Sequence, residues 1–85
     1  MINILYFTAV WCGPCKALAP IMEQIGREMP VTIEKIDVDS DRTKLNEYGV
    51  SSVPTLIFLK DGKVVKRTVG MQPKKLLVEN IQGLL

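Results

Sequence analysis

Apolar residues run almost unbroken from Ile2 to Thr8 (Ile-Asn-Ile-Leu-Tyr-Phe-Thr), and Asn3 is the one strongly polar member. A β-branched and aromatic run without alternation predicts a short strand buried on both faces, as central parallel strands are. The period then changes. Leu18, Ile21, Met22, Ile25 and Met29 recur at spacings of three and four, the apolar stripe of a helix over Ala17 to Met29. Pro14 suits a first-turn position, where its missing N–H costs nothing. Pro20 lies well inside the helix and is expected to bend it. Pro30 ends it.

Val31 to Val38 (Val-Thr-Ile-Glu-Lys-Ile-Asp-Val) reads as the second strand. A helix between two strands implies a right-handed βαβ unit with parallel pairing. Asp39-Ser40-Asp41 caps a short helix from about Arg42 to Tyr48, which Gly49 closes. Leu56 to Leu59 forms a third strand after Val53-Pro54-Thr55. Asp61-Gly62, between two β-prone runs, marks a hairpin into a fourth, antiparallel strand from Val64 to Val69. Gly70 breaks that strand. Pro73 opens a last helix whose Leu77, Ile81, Leu84 and Leu85 can lie against the sheet. The expected fold class is α/β: a β-α-β-α-β-β-α order, a four-stranded mixed sheet and helices on both faces, with residues 1–85 as one domain.

Composition narrows the function classes. Eleven basic and nine acidic residues give a net charge of +2. They are scattered, apart from Lys60, Lys63, Lys66 and Arg67, which read as solvated faces of the hairpin; no nucleic-acid partner is expected. No stretch approaches the roughly 20 apolar residues of a membrane span, and no basic region or small-residue cleavage site marks a signal peptide. The expected location is the cytoplasm, with no membrane partner. Histidine is absent, which removes His general bases, Cys-His nucleophile pairs and His metal ligands.

The chemistry is concentrated in Trp11-Cys12-Gly13-Pro14-Cys15-Lys16, which holds both cysteines. A pair three residues apart, where a strand hands over to a helix, points to redox or metal work in an untargeted protein. A zinc site would need ligands from a second molecule, because two cysteines supply half the usual set. A calcium reading of Asp37, Asp39 and Asp41 fails for want of a central glycine and a distal glutamate in register. No metal is expected.

At this motif the sequence resembles the thioredoxin family, and the likeness runs almost the full length. Ala19-Pro20 matches the family's helix-kinking proline, and Lys35 its strand lysine. Tyr48-Gly49-Val50 and Val53-Pro54-Thr55-Leu56 match the segment leading to its cis-proline. Lys60-Asp61-Gly62 matches the hairpin, and Val69-Gly70 the glycine of the substrate groove. The implied fold is a minimal thioredoxin fold, since family members usually carry a further strand and helix ahead of the strand at Ile2. The implied activity is protein disulfide reduction. Cys12, at a helix N-terminus where free N–H groups and the dipole favour negative charge, is the expected nucleophile. Cys15, one turn further in and more buried, is the expected resolving thiol, and the product is a Cys12–Cys15 disulfide. Gly13 and Pro14 set the poise of the pair.

Trp11 would shield the nucleophile and offer a flat apolar contact, unless it is ordinary packing. Pro54, if cis, would bring backbone beside Cys12 for a substrate strand to pair with; otherwise it is a trans edge proline. Val53, Gly70 and Met71 would complete the groove. Two positions depart from the family: its strand tryptophan is Thr8 here, and its buried aspartate, six residues before the first motif cysteine, is Tyr6. A phenol is a poor base at neutral pH, so slower resolution by Cys15 is expected, unless Tyr6 is plain core filler. Lys35 loses a carboxylate partner and either reaches solvent or favours the Cys15 thiolate.

The implied partners are disulfide-bearing protein substrates and a thioredoxin reductase that passes on electrons from NADPH or another donor. No bound cofactor is expected, and the chain is expected to act as a monomer. Two other readings stay open at this point. A glutaredoxin-like enzyme would act on glutathione mixed disulfides, and a binding subunit would use the fold with its cysteines incidental.

Overall fold

In the computed structural model, which describes residues 1–85, seven elements follow in the expected order. They are β1 (Ile2–Thr8), α1 (Gly13–Glu28), β2 (Val31–Asp37), α2 (Arg42–Glu47), β3 (Thr55–Lys60), β4 (Lys63–Val69) and α3 (Lys74–Leu84). The sheet runs β2-β1-β3-β4. β1 pairs parallel with β2 and antiparallel with β3, and β3 pairs antiparallel with β4.

The unbroken apolar run of β1 is explained by its central place. Side chains alternate across a strand. Ile2, Ile4 and Tyr6 enter one core with Leu18, Met22 and Ile25 of α1, Leu56 and Phe58 of β3, and Leu77 and Ile81 of α3. Leu5 and Phe7 enter a second core on the other face, against Ile36, Ile57 and, from α2, Leu45. Helices therefore cover both faces. Asn3, the polar exception, sits beside Thr32 of β2 in register, and its carbonyl oxygen accepts a hydrogen bond from the Thr32 hydroxyl.

The end signals act as their chemistry requires. Asp41 caps α2 by accepting from the Lys44 N–H at 3.1 Å, and Gly49 beyond it has φ +62°. Asp61 and Gly62 both have positive φ, at 52° and 85°, as a two-residue hairpin turn needs.

α1 begins at Gly13, ahead of its apolar stripe, with Cys12 at the cap and Pro14 in the first turn as expected. Two details differ from the sequence reading. Pro73 stands at the cap of α3 and Lys74 is the first helical residue. Leu85 is 61% exposed, since the helix ends before its side chain can reach the sheet. The basic cluster on the hairpin is exposed, but Arg67 also has a local task. Its guanidinium donates to the Tyr48 and Gly49 carbonyls at the C-terminus of α2, which have no helical partner.

Candidate functional site

The cysteine pair sits where β1 ends and α1 begins. Cys12 has extended backbone angles (φ −89°, ψ 113°) and is the N-cap of α1. Gly13 and Pro14 occupy the first helical turn, where proline removes no helical hydrogen bond. The turn brings the Cα atoms of Cys12 and Cys15 to 5.3 Å, and a disulfide joins the two side chains.

The sulfur of Cys12 also takes the capping role usually played by an oxygen: it accepts a hydrogen bond from the Cys15 N–H at 3.2 Å. Both cysteines are buried, Cys12 at 5% exposure and Cys15 at 2%. They lie in the second core with Phe7, Ala9, Val38 and Val50.

Trp11 stands beside them with 66% of its surface exposed. It is no core residue. Its indole Nε1 donates to Asp39 Oδ2 at 2.8 Å, which ties the loop before α1 to the loop after β2. Asp39 in turn has its own N–H bonded to Asp37 Oδ1 at 2.8 Å. Trp11 and Val53 line a small cavity of about 150 Å³ with Val38, Leu45 and Val50.

The Val53–Pro54 peptide bond is cis. Pro54 is buried and its carbonyl accepts from the Gly70 N–H at 2.8 Å, so the start of β3 and the end of β4 are held together. Gly70 has φ +88°, a conformation that disfavours any side chain there. Met71 beside it is exposed. Val53 lies outside every helix and strand, and neither its N–H nor its C=O makes a hydrogen bond within the chain. Val53 packs on the core that contains both cysteines. A free backbone donor and acceptor on a segment packed against that core can pair with an extended segment of another chain.

Tyr6 and Lys35 are register partners on β1 and β2. Tyr6 is buried, at 2% exposure, and its hydroxyl donates to the Cys15 carbonyl at 2.8 Å. Lys35 is exposed on the edge strand and forms no ion pair. Both line an open cavity of about 300 Å³ that also touches Thr8, Cys15 and Asp37. No group of three or more His, Cys, Asp or Glu side chains is placed to hold a metal ion.

Two contributors were not singled out from the sequence as part of this site. Asp39 holds Trp11, and Asp37 lines the cavity behind Cys15. The Asp37-Val38-Asp39 segment directly after a parallel strand could have pointed to them, because ligands gather beyond the carboxyl ends of such strands.

Comparison with known proteins is consistent along the chain. The thioredoxin family model matches residues 1–83. Thioredoxin from Chlamydia trachomatis serovar D is 49% identical over 79 residues, which is 92% of this chain and 78% of that protein. Thioredoxin from Bacillus subtilis is 51% identical over 75 residues, covering 86% and 72%. Among solved structures, a mutant thioredoxin from Halobacterium salinarum superposes with a TM-score of 0.94 at 36% identity, covering 96% of this chain and 73% of that one. Thioredoxin from Fasciola hepatica gives a TM-score of 0.89 at 39% identity, covering 95% and 78%.

Proposed function

This chain belongs to the thioredoxin family and is a thiol–disulfide oxidoreductase, and we propose that it reduces disulfides of other proteins with Cys12 as the attacking thiol and Cys15 as the resolving one. The observation that carries this assignment is the N–H of Cys15 bonded to the Cys12 sulfur at the N-cap of α1. In the reduced protein the same N–H, with the helix dipole behind it, favours a thiolate on Cys12.

The reaction has two displacements. Cys12 thiolate attacks one sulfur of the substrate disulfide, forms a mixed disulfide and releases the first substrate thiolate. Cys15 loses its proton and attacks the Cys12 sulfur. The bond to the substrate breaks, the second thiolate leaves and is protonated, and Cys12–Cys15 is left oxidised. Substrate backbone pairs with the free N–H and C=O of Val53. Trp11, Gly13, Pro14, Pro54, Gly70 and Met71 form the rest of the contact surface. Lys35 favours negative charge on Cys15 across the open cavity.

The oxidised pair is returned to the dithiol by a thioredoxin reductase, with NADPH or another donor behind it, and the protein needs no bound cofactor. It works as a monomeric domain of residues 1–85 in the cytoplasm, without a nucleic-acid or membrane partner. No helix is long and apolar enough to cross a membrane. The glutaredoxin-like and scaffold readings are not favoured, because the relatives are thioredoxins.

The test is coupled turnover. With a thioredoxin reductase, NADPH and a disulfide-bonded protein, sustained NADPH oxidation is expected and is lost in Cys12→Ser. Turnover supported by glutathione and glutathione reductase, and not by the thioredoxin reductase, would overturn the assignment of donor.

A further inference from the structure

We infer that Tyr6 is a positioning residue for the second displacement: its hydroxyl fastens the Cys15 turn of α1 to β1, while the Cys15 proton leaves to water in the adjoining cavity. This rests on the proposed roles of Cys12 and Cys15 and gives a role to Tyr6, one of the residues that depart from the family pattern.

The hydroxyl is committed. A phenol has one O–H to donate, and Tyr6 donates it to the Cys15 carbonyl at 2.8 Å in a buried setting. A donor to a carbonyl must keep its proton. Were Tyr6 to act as base in the phenolate form, two oxygens bearing lone pairs would face each other with no hydrogen between them. The arrangement therefore opposes proton acceptance by Tyr6 and favours a fixed neutral phenol.

The tie also falls beside a gap in the hydrogen bonding of α1. Pro20 lies inside the helix, so the Lys16 carbonyl has no helical N–H donor and is crowded by the proline ring. The turn holding Cys15 and Lys16 is thus short of one helical bond. Tyr6 reaches across from the sheet to the neighbouring carbonyl and fixes the residue whose sulfur must attack. Its ring is itself immobilised among Ile4, Leu18, Met22 and Leu56, so the hydroxyl is a rigid anchor.

The proton needs another exit, and the cavity of about 300 Å³ beside Cys15 provides it. Its volume is several times the roughly 30 Å³ that one water occupies. Thr8 and Asp37 give it polar walls, and exposed Lys35 stands on its solvent side. In the step itself the Cys15 S–H proton passes to water, the new S–S bond forms to Cys12, the mixed disulfide breaks, and the departing thiolate takes a proton from solvent.

The experiment uses reduced protein and an aromatic disulfide that releases a coloured thiol at each displacement, followed by stopped flow across pH. The first release reports Cys12 and the second Cys15. In Tyr6→Phe, which keeps the ring and removes only the hydroxyl, the second release is expected to slow about fivefold, the size of one hydrogen bond. The first release and the pH midpoint of the second are expected to stay as in the unsubstituted protein. A second release of unchanged rate would make Tyr6 core filler, and a displaced pH midpoint would make it the proton acceptor; either overturns the inference. Absence of the first release in the unsubstituted protein would instead overturn the thiol roles. If Tyr6→Phe does not fold, NMR of the unsubstituted protein decides. A Tyr6 hydroxyl proton protected from solvent exchange is expected, and free exchange contradicts the anchor.

Discussion

The backbone N–H of Cys15 donates to the sulfur of Cys12 across 3.2 Å, so the first turn of α1 is capped by a side chain that is also half of the disulfide. A thiolate is a stronger acceptor for this donor than a disulfide sulfur. Cys12 should therefore ionise below the ordinary thiol value of about 8.5. Iodoacetamide should modify it at pH 7 about ten times faster than a free cysteine, with a rate that levels off before pH 8.5. A rate that is still climbing above that pH would mean that the helix end does nothing for the sulfur.

Trp11 is exposed, yet its indole is held by Asp39. A flat side chain fixed before substrate arrives costs less entropy on binding than a mobile one. Asp39→Ala should raise KM for a protein disulfide about three- to tenfold, in line with one lost hydrogen bond, and change Trp11 fluorescence in the free protein. The alkylation rate of Cys12 should stay within a factor of about two, because Asp39 does not touch the sulfur. Asp39→Asn, which keeps an acceptor, should recover most of the KM.

Far from the site, α2 is joined to β2 by the Lys44 ammonium on the Glu34 carboxylate. That hydrogen bond, and then the charge of Glu34, raise the Lys44 pKa above its ordinary value of 10.5. A lysine with a raised folded pKa adds stability that is complete below pH 10.5 and disappears as pH climbs through the folded value. The pair is solvent-exposed, so the effect is small. Urea midpoints of the unsubstituted protein and Glu34→Gln should differ from about pH 7 to 9 and converge as pH rises through the raised folded value. A gap that persists at high pH would show that the variant acts through something other than this ion pair.

Much of the fold was legible because the relevant forces are local or periodic. The unalternating run at Ile2 to Thr8 announced a strand with a core on each side, and β1 does feed two cores. Asp61-Gly62 announced a turn with two positive φ angles. The cysteine pair could be placed at a strand-to-helix junction from the change of period alone. What could not be read were polar contacts between loops and elements that meet only in three dimensions. Tyr6 could be seen as an anomaly, but not that its partner is the Cys15 carbonyl, nine residues away and on another element. Asp39 gave no hint of Trp11, and Arg67 looked like one more solvated charge until α2 ended beneath it. The apolar stripe of α1 starts only at Leu18, yet Pro14 marked the first turn and Cys12 the N-terminus, where the cap is found.

The central claim is that Cys12 attacks and Cys15 resolves. Trapping tests it most directly: Cys12→Ser and Cys15→Ser, each reduced, are mixed with a disulfide-bonded protein and examined by intact mass spectrometry. Cys15→Ser should accumulate a mixed disulfide through Cys12, because the second displacement is blocked, and Cys12→Ser should accumulate almost none. Adduct on Cys15 in Cys12→Ser, with none in Cys15→Ser, would contradict the account.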